Sequence, residues 1–195
     1  MGFDLFMLQN PQDLGLDYRP QFPDEPGYWR FVTVGMRAMT RLMHSAGVLD
    51  VDAPGPTWPW PTDALPEDRL DKLEGWVFMD DERHAEPTAE EKRILTPIRD
   101  QIAEIRGTRS ANPTKVPAFK FSTNDGWLVD PEECRLIARA LRKAVANSSK
   151  FFGLFSSFLP SRKESGISKR EAGQWILNWA AYNEVASKHG GYKVM

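Results

Sequence analysis

Between Phe119 and Val145 the chain spells an extended run, a tight reversal, a second extended run and a capped helix in immediate succession. Phe119 and Phe121 alternate with Lys120 and Ser122, the period of a half-buried strand. Asn124-Asp125-Gly126 supplies residues that tolerate positive φ, so a sharp reversal is cheap there, and Trp127-Leu128-Val129 resumes the extended pattern. Asp130 is placed to cap the helix that follows, Pro131 suits its first position, and Glu132 and Glu133 sit at the positive end of its dipole. From Cys134 through Ile137, Ala138, Leu141 and Val145, apolar residues recur at helical steps, while Arg135, Arg139, Arg142 and Lys143 take the other face.

The remaining elements are read against that unit. Phe3, Leu5 and Met7 alternate with Asp4 and Phe6, which predicts a strand over Met1–Leu8. A coil rich in proline and acid runs on to Pro26, and its Tyr18, Arg19 and Phe22 must pack across another surface. Gly27-Tyr28-Trp29-Arg30-Phe31 leads into a helix striped by Val32, Met36, Met39 and Met43, with Arg37, Arg41 and His44 opposite and Gly47 as its stop. Thr88-Ala89-Glu90-Glu91 is a capping box for a helix to about Arg106, with a kink or restart expected at Pro97. Ser168-Lys169-Arg170-Glu171 is a second box, opening a helix through Lys188 that carries Trp175, Ile176, Trp179 and Tyr182. Gly190 and Gly191 end it and leave Tyr192–Met195 as a terminal strand. The expectation is an α+β fold: a single helix-dominated domain over residues 1–195, with a small antiparallel or mixed sheet. Its strands are Met1–Leu8, Phe119–Thr123, Trp127–Val129 and Tyr192–Met195, and a Pro/Trp-rich and charged insertion occupies about residues 50–117.

Charge and composition exclude several classes. A net charge of −2 lacks the basic excess of a dedicated nucleic-acid binder. Cys134 is the single cysteine, so neither an internal disulfide nor a cysteine-based zinc site can form, and its position on an apolar helix face predicts a small core residue. No basic region followed by a long apolar run opens the sequence, and no stretch approaches the ~20 apolar residues that span a bilayer. Phe151–Leu159 is apolar but too short to cross, and reads as a buried segment or a partner-facing patch. The expected setting is cytoplasmic, with no membrane partner.

Motif chemistry is sparse. No phosphate-binding loop, dinucleotide-binding glycine pattern, HExxH or Gly-x-Ser-x-Gly occurs, so neither a cofactor nor a metal is expected. His84 beside Asp80, Asp81 and Glu82 is read as part of an exposed acidic loop, and His189 as a helix-terminal imidazole. Asn124 and Asp125 are the leading polar candidates, because a turn between rigid elements holds side chains still. Asp125 in that place suits a general base, a metal ligand or a hydrogen-bond acceptor, and equally a plain turn residue.

The Met-Gly-aromatic-Asp-Leu start at Met1–Leu5, the Gly27-Tyr28-Trp29-Arg30 run, the mid-chain Asn124-Asp125-Gly126 and the Gly190-Gly191-Tyr192 ending are shared features. On them the chain resembles a family of uncharacterised small proteins from actinobacteria and their phages. It departs by one residue within the Gly-Tyr-Trp-Arg run, Val34-Gly35-Met36 replaces the tryptophans expected after it, and Asp50 to Pro117 has no counterpart. The resemblance implies a compact domain in a phage-related context and names no reaction. The function expected from the residues is non-enzymatic binding, of a protein or a small molecule, through an aromatic and polar surface of Tyr28, Trp29, Arg30, Asn124, Asp125 and Trp127. Two alternatives stay open: a small hydrolase or transferase using Asp125 and His189, and an assembly protein self-associating through Phe151–Leu159.

Overall fold

The computed structural model of the protein describes residues 2–11, 13–15, 17–59, 65–78, 85–147 and 169–195. In chain order the described elements are β1 (Gly2–Met7), β2 (Tyr28–Val32), α1 (Thr33–Ser45), β3 (Leu49–Asp50), α2 (Glu67–Phe78) and α3 (Ala89–Arg106). These are followed by β4 (Val116–Pro117), a short 3-10 helix (Ala118–Phe121), β5 (Trp127–Val129), α4 (Pro131–Ala146), α5 (Lys169–Ala186) and β6 (Tyr192–Val194). Helices combined with an antiparallel sheet make this an α+β fold. The chain divides into two compact units, one of Met1–Ala53 with Arg109–Met195 and one of Pro54–Thr108.

In the first unit the sheet order is β2-β1-β6-β5, antiparallel throughout, with β3 and β4 forming a separate parallel pair. The register Leu5↔Trp29, Leu5↔Val194 and Trp127↔Val194 aligns one face of all four strands. Because side chains alternate along a strand, Phe3, Leu5, Trp29, Phe31, Trp127, Val129, Tyr192 and Val194 all fall on that face, and all are buried. α5 lies over it: Trp179 stands 5.4 Å from Trp29 and 5.0 Å from Phe31, and Tyr182 stands 5.4 Å from Tyr192, ring centre to ring centre. α4 packs chiefly along α5, where Arg142 grips Glu184 through two hydrogen bonds. Cys134 is enclosed in that layer, and burial pushes its thiol pKa well up, which suits an inert core residue. Met36, Met39 and Met43 form the buried stripe of α1 as their spacing predicts, whereas Val32, expected in the same stripe, ends β2 and is 66% exposed; Gly47 beyond the helix has φ +77°.

The second unit is a pair of helices closed around Leu73, Val77, Leu95 and Ile102. Trp58 packs on this core, its ring meeting Phe78 edge-on at 5.9 Å, and the Arg99 guanidinium lies 4.4 Å over Trp76. The Thr88–Glu91 capping box forms in full, and Glu91 also holds Arg69 at 2.6 and 2.9 Å. α3 runs on through Pro97 without a break in its helical assignment, where the sequence suggests a kink or restart. Pro97 and Arg93 are both exposed, so the carbonyl that loses its hydrogen bond to the proline faces solvent.

Two strand expectations need correcting. Phe119–Thr123 does not form a strand; its first three residues belong to the 3-10 helix Ala118–Phe121, and β5 is left as the sheet edge. Three alternating letters cannot separate an extended run from a tight helical turn, and the outward position assigned to Lys120 is fully buried. The sheet takes its remaining strand from Tyr28–Val32, which the sequence shows only as a lead-in to α1. α1 starts from Val32 with no side-chain cap, so nothing in the letters marks where strand gives way to helix. The reversal itself is as expected: Gly126 has φ +74°, and its N–H donates to the Val194 carbonyl, extending the β5–β6 ladder.

Candidate functional site

A cavity of about 590 Å³ opens beside the start of β1, within the size range of small-molecule pockets. Gly2 and Phe3 form one side, and the segment Phe121–Asn124 forms another. α1 supplies the third wall through Thr33, Arg37, Thr40 and Arg41. Those four positions are spaced 4, 3 and 1 apart and fall on one helical face, beside the methionine stripe. Among the described lining residues there are two guanidinium groups, Arg37 and Arg41, and no carboxylate. α1 contains no aspartate or glutamate, so Arg37 and Arg41 have no acidic neighbour on their own helix. Among the described residues, Arg37 has no carboxylate within ion-pair distance.

Asn124 ties the turn to β1, its Nδ2 donating to the Gly2 carbonyl at 2.6 Å. That bond fixes the amide orientation and leaves Oδ1 as an enclosed acceptor to which no protein group donates. An enclosed polar atom in this state costs on the order of 1–3 kcal/mol. The neighbouring hydroxyl of Thr123 donates to the Asp125 carboxylate and accepts from Trp127 Nε1 at 2.9 Å. Behind the turn, Lys120 Nζ meets both Glu133 carboxylate oxygens at 2.8 Å and the Leu128 carbonyl at 2.7 Å. Burial pulls the Lys120 pKa down and pushes that of Glu133 up, each partly offset by the partner's charge. Glu133 also accepts from the Asp130 N–H, so the N-terminal box of α4 and the 3-10 helix share one carboxylate.

The expected ligand surface is distributed over both faces of the sheet. Tyr28 and Arg30 lie on the solvent face, where Tyr28 donates to Asp4 and Arg30 pairs with the same carboxylate at 3.5 Å. Tyr28 is stacked between Phe6 and Phe22, each ring centre 4.9 Å away, and burial first, then the Asp4 hydrogen bond, raises its pKa. Trp29 points the other way and is wholly buried, as β-strand alternation requires. Trp127 is buried on the core face too, against Phe119 at 4.8 Å. Asn124 and Arg30 do converge on Gly2: Asn124 bonds its carbonyl, and a Cβ there would lie 3.6 Å from Arg30 Nε.

Asp125 and His189 are not brought together. The ladder pairs Trp127 with Val194 and Val129 with Tyr192. Asp125 therefore precedes one end of the β5–β6 ribbon and His189 precedes the other. His84 and Phe151–Leu159 lie outside the described residues, as does Ser168 of the second capping box. No cluster of three or more potential metal-ligating side chains occurs among the described residues, and no helix there is long and apolar enough to cross a membrane. Gly2, Phe3, Thr33, Arg37, Thr40 and Arg41 were not legible as a site. The visible signal was the run Thr33–Ser45 with basic residues and no acid, which reads equally as a solvated helix face. Compared with protein-family models, curated proteins and solved structures, the chain matches none.

Proposed function

We propose that the protein is a non-enzymatic binding protein of the cytoplasm whose small-molecule site is the cavity between Gly2–Phe3, α1 and Phe121–Asn124. The observation that carries this reading is Asn124. Its side chain is locked to the Gly2 carbonyl and lines the cavity, which fixes the turn as a wall. β1 and α1 hold two of its described walls, an arrangement that pre-organises a site. The resemblance to proteins of actinobacteria and their phages supports a phage-related setting for that binding. The test is native mass spectrometry of the protein purified from its own host, beside a Ser122→Trp variant that fills the cavity mouth from an exposed position. The expected result is a small-molecule adduct on the natural protein that the variant lacks. An adduct on both, or on neither, contradicts the reading.

A second reading is supported by the Phe6–Tyr28–Phe22 stack, where Phe6 is 45% and Phe22 40% exposed. Aromatic rings with a polar rim are the composition of a protein-contact surface. Phe22→Asp is expected to abolish such a contact and leave the fold intact, detected as loss of co-purifying protein; a partner retained by that variant contradicts this reading.

A further inference from the structure

We infer that the solvent face of β1 and β2 docks an arginine side chain of a partner protein, its guanidinium seated among Phe6, Tyr28, Asp24 and Glu25; this rests on the protein-contact reading above. A hollow of about 290 Å³ lies there. Phe6 and Tyr28 line it from the two strands, and Asp24 and Glu25 line it from the loop that joins them. Both carboxylates are exposed, and neither has a hydrogen bond or ion pair among the described residues. The Glu25 charge reaches the rings: burial and Asp4 raise the Tyr28 pKa, Arg30 opposes them, and Glu25 raises it further. The loop is also held in place. The Tyr28 N–H donates to the Glu25 carbonyl at 2.9 Å, the Glu25 N–H to the Phe22 carbonyl at 3.0 Å, and the Met7 N–H to the Gly27 carbonyl at 3.0 Å. Two linked turns thus set the carboxylates beside the rings before a partner arrives, which lowers the ordering cost of binding.

Charge complementarity fixes the sign of the partner. Residues 1–30 hold five carboxylates, on Asp4, Asp13, Asp17, Asp24 and Glu25, against the guanidinium groups of Arg19 and Arg30. Arg30 is paired with Asp4, and Lys193, opposite Phe6 on β6, does not line the hollow. An anionic partner is repelled there, and a neutral apolar one desolvates two carboxylates without pairing them. Among cations the guanidinium fits best, because its plane stacks on an aromatic face while its fork meets a carboxylate through two hydrogen bonds. Size separates a side chain from a free ligand. The hollow is just under the ~300 Å³ floor of small-molecule pockets. Phe22 and Leu8, both exposed and both outside it, offer apolar surface to the chain that carries the arginine.

The test titrates the full chain with three probes, following backbone amides by NMR: an end-blocked pentapeptide containing two arginines, the same peptide with neutral citrulline in their place, and tetramethylammonium. The arginine peptide is expected to shift signals of Phe6, Asp24, Glu25 and Tyr28, and the citrulline peptide to bind at least about tenfold more weakly. Asp24→Asn with Glu25→Gln is expected to weaken the arginine peptide about tenfold. That variant stays folded, because both side chains are exposed and hold no described hydrogen bond or ion pair. Phe6→Leu, which keeps apolar surface and loses the ring face, is expected to weaken it about threefold. The affinity is expected to fall as salt rises. Equal binding of the citrulline peptide, indifference to either variant, or no response to the arginine peptide overturns the arginine assignment. Tetramethylammonium binding as tightly as the peptide overturns it in favour of a free cation. A co-purifying partner lost with Phe22→Asp but retained by Asp24→Asn/Glu25→Gln overturns the arginine alone. A partner retained by both variants overturns the contact surface beneath it.

Discussion

Lys120 Nζ stands 2.8 Å from each carboxylate oxygen of Glu133, and the two side chains are 0% and 1% exposed. A lysine from a 3-10 helix is thereby fixed to the first turn of α4, directly behind the Asn124 turn. Removing one partner leaves the other charge buried and uncompensated. Lys120→Met is therefore expected to cost about 3–5 kcal/mol, while Lys120→Met with Glu133→Leu recovers most of that loss. Urea denaturation of the single and double variants checks it; equal losses in both would contradict a charge-pairing role.

The same pair sets a pH signature. Burial holds the Glu133 carboxyl above its ordinary value of 4.5, so the folded state binds that proton more tightly than the unfolded chain. Its contribution falls as pH rises from 4.5 through the raised value. Lys120 is held below its ordinary 10.5, so the unfolded chain binds that proton more tightly and stability recovers as pH rises towards 10.5. The stability of the natural protein minus that of the Lys120→Met/Glu133→Leu variant is expected to sag across neutral pH. A difference independent of pH from 4 to about 10 would contradict this.

Glu91 carries the opposite sign. The Arg69 hydrogen bonds, followed by the Thr88 backbone N–H, lower its pKa to about 2. Its stabilising effect on the helical pair is complete above the ordinary 4.5 and is lost as pH falls through about 2. Glu91→Gln is expected to remove that acid sensitivity, read from Leu95 and Ile102 methyl signals during acid titration.

Gly191 and Gly47 both hold positive φ, +91° and +77°, but differ in what surrounds them. A Cβ on Gly191 would lie 2.2 Å from the Val129 carbonyl oxygen, whereas one on Gly47 meets nothing within 4 Å. Gly47→Ala is expected to cost about 1–2 kcal/mol from backbone conformation alone. Gly191→Ala is expected to cost more, because the β5–β6 pairing must also shift, and thermal denaturation of the two variants compares them directly.

Much of this architecture is legible in the letters, and the failures have physical causes. The Asp130–Glu133 cap, the Gly126 reversal, the methionine stripe of α1 and the alternation in β1 depend on local chemistry, and the sequence displays them. β2 was obscured because Val32 passes from strand to helix without a capping residue. Lys120 was placed outward because a single buried lysine is invisible without Glu133, 13 residues away and readable only as a helix-start acid. The Asn124 turn was legible as a place. Its neighbours across the cavity were not, because Arg37 and Arg41 are brought to it from far along the chain by the β1–β2 pairing and the course of α1.

The cavity at Asn124 is tested most directly by chemical-shift mapping of the natural protein against a small-molecule extract of its host. The predicted result is a set of perturbed signals confined to Gly2, Phe3, α1 and Phe121–Asn124, including the Asn124 side-chain amide, and absent in Ser122→Trp. Perturbations centred instead on Phe6, Phe22 and Tyr28, or no perturbation at all, would contradict it.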